Sequence, residues 1–208
     1  MEEIETKEYN LIVNKKEYYV YETREDEKVQ IHLYDKSQDE KLGTLSISYN
    51  DVDSFVEYEL EQFKKETLSE SVIEYLNKLI TSIENKENII YITDLEVSDK
   101  YRGNGIGAIL LDIFGELLKD EIKLGFNDSI YLNACPTDAY SDSSLPLENL
   151  KEFYKRRGFK SFHDQGVNDN MLIYDTKKFK QKNKISLKEV MLEKPKEKTI
   201  DNIVSPKI

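Results

Sequence analysis

The sequence predicts one mixed α/β domain in which a mostly antiparallel sheet is flanked by helices. Three observations predict this fold class. Residues 8–49 contain four short segments rich in Tyr, Val, Ile and Thr, and residues 69–84 repeat apolar side chains at helical spacing. Residues 89–118 then pass from an apolar strand through a glycine-rich turn into a helix. Consecutive strands with short turns favour antiparallel pairing, whereas a strand that feeds a helix indicates an α/β unit.

The N-terminal strands are predicted where β-branched and aromatic residues concentrate, at residues 9–13, 17–23, 28–34 and 42–49. Polar clusters at residues 24–27 and 35–39 are the expected turns. From Val29 to Tyr34 apolar and polar side chains alternate, which is typical of a half-buried strand. His32 falls on the polar side of this alternation and is interpreted as an exposed strand residue.

Two helices are predicted before the central strand, at residues 55–66 and 69–84. The polar residues 50–54 precede the first helix and offer several N-cap candidates. In the second helix, Ser69 stands before one apolar face, formed by Val72, Ile73, Leu76, Leu79, Ile80 and Ile83. Residues three and four apart share one side of a helix, so this face is expected to be buried.

Residues 89–118 contain the pattern around which the domain is organised. Residues 89–97 are apolar and β-branched enough for a buried strand, and the turn that follows holds three glycines, Gly103, Gly105 and Gly107. Apolar side chains then recur at helical spacing, at Ile106, Ile109, Leu110, Ile113 and Leu117. The first N–H groups of a helix have no partner within it, and glycines let a ligand approach the backbone. The pattern therefore predicts a site for a phosphate group.

The second half of the chain predicts a strand at residues 129–132, a polar loop at 136–146, a helix at 147–157 and strands at 159–163 and 170–174. Gly125 and Gly158 are expected to end the two helices. The expected domain spans residues 1–176, with N-terminal strands at 8–49, a helical segment at 53–85 and a core at 89–174. Residues 177–208 form a lysine-rich tail that is expected to be loosely held or partly disordered. Truncation after residue 182 is accordingly expected to leave the melting temperature nearly unchanged.

Composition and charge exclude several classes of protein. Of the 208 residues, 34% are charged and 38% hydrophobic, which is typical of a soluble globular protein. The net charge of −11 argues against nucleic acid as a partner, because phosphate binding needs a basic surface. One cysteine, Cys135, excludes an internal disulfide and fits a reducing compartment. Without a signal peptide or an apolar run of membrane-spanning length, no membrane association and a cytoplasmic location are expected.

Two patterns compete to explain the glycine turn. The first, Gly103-x-Gly105-x-x-Ala108, satisfies the loose dinucleotide fingerprint. That interpretation requires an acidic residue about twenty positions further on, at the end of the next strand. The next strand runs into Asn133 and Cys135 and has no carboxylate there. A dinucleotide is therefore disfavoured.

The second pattern is [QR]-x-x-G-x-[GA] at residues 102–107, with Leu-x-Val at 95–97 just upstream. It strongly resembles the acetyl-CoA pyrophosphate loop of the GNAT superfamily of N-acetyltransferases. The segment Tyr-x-x-x-Gly-Phe at residues 154–159 resembles the last signature segment of the same family. The resemblance covers residues 89–174 well and the first 88 residues poorly, because the helical segment at 53–85 lies just before the central strand. The family usually places two helices between its first two strands.

The resemblance implies a splayed sheet with acetyl-CoA across its mouth. Backbone groups near Leu95 and Val97 would pair with the pantetheine arm, and backbone N–H groups of the turn would bind the pyrophosphate. The cofactor-binding residues implied in this way are Leu95, Val97, Arg102, Gly103, Asn104, Gly105, Ile106 and Gly107. An acceptor amine would attack the thioester carbonyl, and the N–H of Val97 is the candidate donor to its developing negative charge.

Such a reaction needs an acid for the leaving thiolate and a base for the ammonium. Tyr154 is the candidate acid, because an ordinary tyrosine is protonated at neutral pH; the alternative is a packed aromatic side chain. Glu96 is the first candidate base and Asp94 the second, since a carboxylate beside a cleft has a raised pKa. A base that acts through water oriented by Thr93 is the remaining alternative.

Three further features of the sequence each have two interpretations. Cys135 is interpreted as a small buried hydrophobe rather than a reactive thiol. The acidic loop at residues 137–144 either lines the acceptor side or is solvated. The cations at residues 155–157 suit a helix end and would also be in reach of an adenosine phosphate.

The sequence therefore predicts an N-acetyltransferase that transfers acetyl from acetyl-CoA to a primary amine by direct attack. The alternative is a non-catalytic acyl-CoA-binding or protein-interaction module on the same fold. No metal is expected, because two histidines and one cysteine do not form a ligand set at useful spacing. The acceptor, a small molecule or a peptide, is not identified, and a homodimer is left open.

Overall fold

The computed structural model describes residues 4–51, 53, 55–57, 59, 69–84, 88–123, 129–134, 147–162, 171–175 and 183–190. In chain order the strands within this part are β1 (Glu5–Val13), β2 (Lys16–Glu25), β3 (Lys28–Asp35), β4 (Lys41–Asp51), β5 (Asn88–Val97), β6 (Ser129–Asn133), β7 (Lys160–Ser161), β8 (Met171–Asp175) and β9 (Ile185–Glu189). The helices are α1 (Glu70–Ile83), α2 (Ile106–Lys123) and α3 (Leu147–Lys155), and Asp99–Tyr101 form a 3₁₀ turn.

Among these residues the strands form one sheet of nine, in the order β7-β8-β6-β5-β4-β3-β2-β1-β9. Every neighbouring pair is antiparallel except β5 and β6, which are parallel. The predicted mixed fold with a mostly antiparallel sheet flanked by helices is confirmed. None of the helices in the described part of the chain is long and apolar enough to cross a membrane.

The first four strands run up and down as predicted, and tight turns join them. Asn14 and Lys15 have positive φ angles of 48° and 73°, the conformation that a two-residue hairpin turn requires. Strand alternation places Leu11, Ile31 and Leu45, each 0% exposed, on the same face of the sheet. This face packs against α2, so the hairpins and the glycine turn belong to one hydrophobic core.

The other face of the sheet packs against α1. Ser69 caps this helix as predicted, accepting a hydrogen bond from the N–H of Val72 at 3.4 Å. The predicted apolar face was wrong at Ile73 and Ile80, which are 47% and 46% exposed. Tyr75 is buried instead, where its hydroxyl donates to Glu59 at 2.9 Å. A tyrosine can pack its ring in the core while its hydroxyl finds a partner, so the buried stripe rotates toward it.

Several sequence predictions lie outside the described residues. They are most of the helix at 55–66, the cap at Gly125, the thiol of Cys135 and the loop at 136–146. Asp53, residues 55–57 and Glu59 are helical, as predicted for the start of the first helix. The helix predicted at 147–157 ends at Lys155, and Gly158 follows with a positive φ of 99°.

The C-terminal segment differs from the expectation of a loosely held tail. Residues 185–189 form β9, which pairs with β1 from Tyr9 to Val13 and closes that edge of the sheet. Ile185 and Leu187 point one way along this strand and pack against the core. The high lysine content masks this two-residue alternation, which is the only strand signal in so short a segment.

Truncation after residue 182 is now expected to lower the melting temperature by roughly 5 °C or more. The deletion removes β9 and also Asn183, whose backbone N–H and side-chain amide donate to buried Asp112 at 3.0 and 2.7 Å. A buried carboxylate that loses such partners costs about 1–3 kcal/mol. Thermal unfolding followed by circular dichroism measures the change. Truncation after Val190 keeps β9 and is the matched control; equal melting of both truncated forms and the full chain would contradict this expectation.

Candidate active site

Three elements meet where β5 ends, α2 begins and α3 ends. Gly107, in the first turn of α2, lies at their junction. A Cβ atom added there would lie 3.3 Å from the Phe153 ring and 3.6 Å from the side chains of Leu95 and Val97. Absence of a side chain at Gly107 therefore lets α3 and β5 close on the start of α2. The two signature segments predicted from the sequence are brought together by this contact.

Beside this junction the pairing of β5 differs between its two neighbours. Within the described residues β5 pairs with β6 only at Ile90, Tyr91 and Ile92, whereas its pairing with β4 continues to Val97. The N–H of Ser98 donates to the carbonyl of Leu42 at 3.0 Å. In an antiparallel ladder, hydrogen-bonded and non-hydrogen-bonded pairs alternate. The backbone groups of Leu95 and Val97 are therefore directed away from β4, toward the side where β6 has parted.

A β-bulge at Thr93 sets which side chains face the core at this end of β5. Ser46 of β4 pairs with Asp94 while the next residue, Ile47, pairs with Ile92, so Thr93 is the extra residue. Leu95 and Val97 consequently pack in the same core as Ile90 and Ile92. Strict alternation from Ile89 would have placed them on the opposite face. The bulge keeps Asp94 and Glu96 out of that core.

The glycine turn presents backbone N–H groups at the start of α2. Gly103 and Gly105 have φ angles of 80° and 81°, which side chains other than glycine rarely adopt. The first helical hydrogen bond runs from the N–H of Ile109 to the carbonyl of Gly105 at 3.1 Å. The N–H groups of residues 105–108 are therefore the ones that a helix leaves without internal partners. They form a positive end suited to a phosphate.

Two of the predicted N–H donors are used within the turn itself. The N–H of Arg102 donates to Asp99 at 3.1 Å, and the N–H of Asn104 donates to Tyr101 at 3.2 Å. These bonds shape the turn, so the candidate phosphate-binding amides are those of Gly103 and residues 105–108. The sequence alone does not separate the two sets, because the direction of each N–H depends on the turn conformation.

The Arg102 side chain holds the turn to the end of β5. Its guanidinium lies 2.9 Å from the Asp99 carboxylate, and its Nε donates to the Val97 carbonyl at 3.4 Å. With that carbonyl engaged, the N–H of Val97 is the remaining polar backbone group of this residue on the open side. The hydroxyl of Ser98 donates to the Lys41 carbonyl at 2.8 Å, which ties the same turn to β4.

Gly43 of β4 lies beside the junction and was not predicted from the sequence to matter there. A Cβ atom there would lie 2.6 Å from the Glu96 carbonyl oxygen and 3.1 Å from Leu110 of α2. Real Cβ atoms do not come this close, so only glycine lets α2 lie against β4 and β5 here. The available signal was an isolated glycine inside a strand pattern, which indicates a close approach.

Tyr154 lies at the junction and is 5% exposed. Its ring contacts Phe153 and Phe159 at centroid distances of 5.0 and 5.6 Å. Burial raises the pKa of the Tyr154 hydroxyl above its ordinary value, and the negative charge of Asp94 raises it further. The phenol is therefore protonated at neutral pH and is sensitive to the charge of Asp94.

The two candidate bases have different environments. Asp94 is half-buried, and its pKa is raised by burial and then by the charge of Glu96, against a hydrogen bond from the Leu95 backbone. Glu96 is exposed. A raised pKa is the property expected of a carboxylate base beside a cleft. Greater burial and the raised pKa thus favour Asp94 over Glu96 as the candidate base, which reverses the order predicted from the sequence.

His32 is not the exposed residue that the sequence predicted. It is half-buried, and its Nδ1 lies 3.2 Å from the Thr44 hydroxyl. Thr44 is the direct cross-strand partner of both His32 and Glu96. Burial and the nearby Lys41 lower the pKa of His32, so the ring is neutral at neutral pH. Cross-strand register, which sequence alone does not supply, places these residues in one row.

Other sequence candidates lie elsewhere. Arg157 does not point to solvent at the helix end; its side chain is 7% exposed and pairs with Asp112 at 3.4 Å. Among the described residues, no group of three or more His, Cys, Asp or Glu side chains could hold a metal ion.

Comparison of the sequence with models of known protein families identifies the family of this chain. The model described as "Acetyltransferase (GNAT) family" matches residues 1–159, which is most of the chain. The chain belongs to the GNAT acetyltransferase family. The match includes the first 88 residues, so the family extends through the part of the chain where the sequence motifs were weak. Acetyl-CoA is the acetyl donor of GNAT enzymes, and the predictions of family, fold class and acetyl-CoA are confirmed.

Several solved structures resemble the chain at low identity. The KacTA–DNA complex is 17% identical over 73% of this chain and 70% of that chain, with a TM-score of 0.47. AtaTR bound with acetyl-CoA is 16% identical over 73% of this chain and 69% of that chain, with a TM-score of 0.43. No curated protein matches the sequence. The acceptor of this chain does not follow from similarities at this level.

Proposed function

We propose that this GNAT protein transfers acetyl from acetyl-CoA to a primary amine by direct attack. The observation that carries the proposal is the junction of β5, α2 and α3. There the start of α2, which carries the N–H groups of residues 105–108, lies against Leu95 and Val97 of β5 and against Phe153, the neighbour of the buried Tyr154. These are the groups that acetyl transfer needs for a phosphate anchor, an oxyanion donor and an acid.

The donor would lie across the open side of β5. Residues 105–108 and Gly103 would bind its pyrophosphate, and the backbone of Leu95 and Val97 would pair with its pantetheine arm like an added strand. This arrangement places the thioester near the end of β5, where the N–H of Val97 faces the gap. A backbone donor fixed before the reaction is effective because it needs no reorganisation as charge develops.

The transfer step forms one bond and breaks another. The amine nitrogen attacks the thioester carbonyl, a C–N bond forms, and the C–S bond then breaks with the electron pair leaving on sulfur. Before the attack, Asp94 takes one proton from the acceptor ammonium; as the C–S bond breaks, Tyr154 donates its hydroxyl proton to the sulfur, and the second proton lost by the nitrogen restores the phenol. The acetylated amine and the free thiol of CoA are the products.

The interaction between Asp94 and Tyr154 couples the two proton transfers. While Asp94 is ionised, its charge raises the pKa of Tyr154 and holds the phenol proton in place. Once Asp94 has taken a proton, that contribution disappears, and the phenol becomes a stronger donor as negative charge reaches the sulfur. Burial is the larger cause of the raised pKa, so Tyr154 keeps its proton until negative charge reaches the departing sulfur.

Asp94→Asn and Glu96→Gln form a matched pair that assigns the base. Asp94→Asn is expected to lower turnover by roughly 10²-fold, because it removes the proton acceptor. Glu96→Gln is expected to keep most activity and to shift the acidic limb of the pH profile to lower pH. The charge of Glu96 raises the pKa of Asp94, so its removal lets Asp94 deprotonate at lower pH. Profiles of kcat/KM against pH decide; a larger loss in Glu96→Gln would make Glu96 the base.

The acceptor is proposed to be a cationic amine, since the net charge of −11 and the carboxylates of Asp94 and Glu96 favour a positive ligand. The test is release of the CoA thiol in a panel that contains a polyamine, a peptide with a lysine, a peptide with an N-terminal amine and an aminoacyl-tRNA. An active small cation or peptide supports the proposal. Activity confined to the aminoacyl-tRNA would overturn the charge argument and identify a nucleic-acid-borne amine. Tight CoA binding with no activity on any amine would favour the non-catalytic alternative.

A further inference from the structure

A buried polar cluster lies behind the junction, formed by Asp112, Arg157 and Asn183 and called here the Asp112 cluster. The Asp112 side chain is 1% exposed and the Arg157 side chain 7% exposed, and Nη1 of Arg157 lies 3.4 Å from Oδ1 of Asp112. The other carboxylate oxygen accepts hydrogen bonds from the backbone N–H and the side-chain amide of Asn183, at 3.0 and 2.7 Å. One carboxylate therefore joins two partners that are distant in sequence.

The three residues of the Asp112 cluster lie in three different segments of the chain. Asp112 lies in α2, the helix whose first turn forms the proposed phosphate site. Arg157 follows α3, and its own N–H donates to the Tyr154 carbonyl at 2.9 Å. Asn183 lies two residues before the start of β9, the strand that pairs with β1. The cluster thus links α2, the residue bearing the proposed acid, and the C-terminal strand.

Burial of the charged groups of the Asp112 cluster costs free energy. Among the described residues, the buried Nε and Nη2 of Arg157 have no hydrogen-bond partner, and burial lowers the pKa of the guanidinium while Asp112 opposes that change. Apolar replacements of a buried ion pair are often neutral or stabilising, so stability alone does not explain such a pair. A planar guanidinium on a fixed carboxylate does restrict orientation, which an apolar contact does not.

We propose that the Asp112 cluster positions Tyr154 against the start of α2, and that Asn183 makes the C-terminal segment part of this positioning. The inference rests on the proposed role of Tyr154. Tyr154 accepts from the N–H groups of both Arg157 and Phe159 through one carbonyl, at 2.9 and 3.2 Å. A shift of the Arg157 side chain is thereby transmitted to the backbone of Tyr154. Arg157 and Asn183 touch no substrate in this arrangement and are positioning residues.

The test is a double-mutant cycle with two cluster variants, Asn183→Ala and Arg157→Lys, each made in the wild-type chain and in Tyr154→Phe. In the wild-type chain each is expected to lower kcat by about 10-fold with less than about a 2-fold change in the KM for acetyl-CoA. In Tyr154→Phe, which no longer carries the hydroxyl, the same variants are expected to cost less than about 2-fold. Assays are run well below each melting temperature, and Asn183→Ala alone decides if Arg157→Lys does not fold.

Three outcomes overturn the inference. Equal losses in both backgrounds would assign the cluster a structural role that does not pass through the hydroxyl. Unchanged kcat for both variants in the wild-type chain would mean that the cluster positions nothing. Wild-type turnover in the single variant Tyr154→Phe would show that Tyr154 is not the acid. This result is distinguishable from the other two, because it needs no cluster variant.

Discussion

Tyr154→Phe is expected to lower turnover with a working amine acceptor by roughly 10²-fold or more. The substitution keeps the ring, whose contacts with Phe153 and Phe159 are apolar, so the fold is expected to be retained. It removes only the hydroxyl that would donate to the departing sulfur. The KM for acetyl-CoA is expected to change much less, because this donation acts mainly in the transition state. Steady-state kinetics at saturating acetyl-CoA measures both quantities.

Phe153→Leu is a suitable neighbouring control, because it alters packing next to Tyr154 without removing a hydroxyl. Phe153 touches Gly107 at the start of α2, so this variant is expected to raise the KM for acetyl-CoA more than it lowers kcat. The two variants therefore separate contact with the donor from help to the leaving group. Wild-type turnover in Tyr154→Phe would show that the tyrosine is only a packed side chain and that the thiolate takes its proton from water.

Gly105→Glu is expected to abolish measurable CoA binding. The glutamate would stand at the cap of α2, where the N–H groups of residues 105–108 are assigned to the pyrophosphate. Two like charges about 4 Å apart cost roughly 4 kcal/mol at an effective dielectric constant of 20. This energy corresponds to roughly a thousand-fold weaker binding. Isothermal titration calorimetry with CoA measures the loss.

Backbone strain has to be separated from charge in this experiment. Gly105 has a φ of 81°, so any other residue is strained there, although a Cβ would meet nothing within 4 Å. Gly105→Asn is the matched control, because asparagine tolerates positive φ and carries no charge. A glutamate near a helix N-terminus stabilises the helix, so the melting temperature is not expected to fall further than in the control. Unchanged CoA affinity in Gly105→Glu would overturn the assignment of the phosphate site to this turn.

The sequence by itself determined the parts of the protein that depend on local pattern. Alternation and turn residues predicted β1 to β4 within a few residues of their observed bounds, because neighbouring strands joined by short turns pair with each other. The glycine turn before α2 was predictable for the same reason, since positive φ at Gly103 and Gly105 is a local property. The spacing of residues 102–107 and 154–159 was sufficient to identify the GNAT family.

Only the tertiary structure decided which groups meet. The bulge at Thr93 sets the faces of the residues after it, and a bulge appears only in the pairing of two strands. Asp94 came to be favoured over Glu96 through its burial, which neighbouring elements impose. The burial of Arg157 on Asp112 and the pairing of β9 with β1 join residues far apart in sequence. Such contacts depend on how elements pack in space, and local propensity carries no information about that packing.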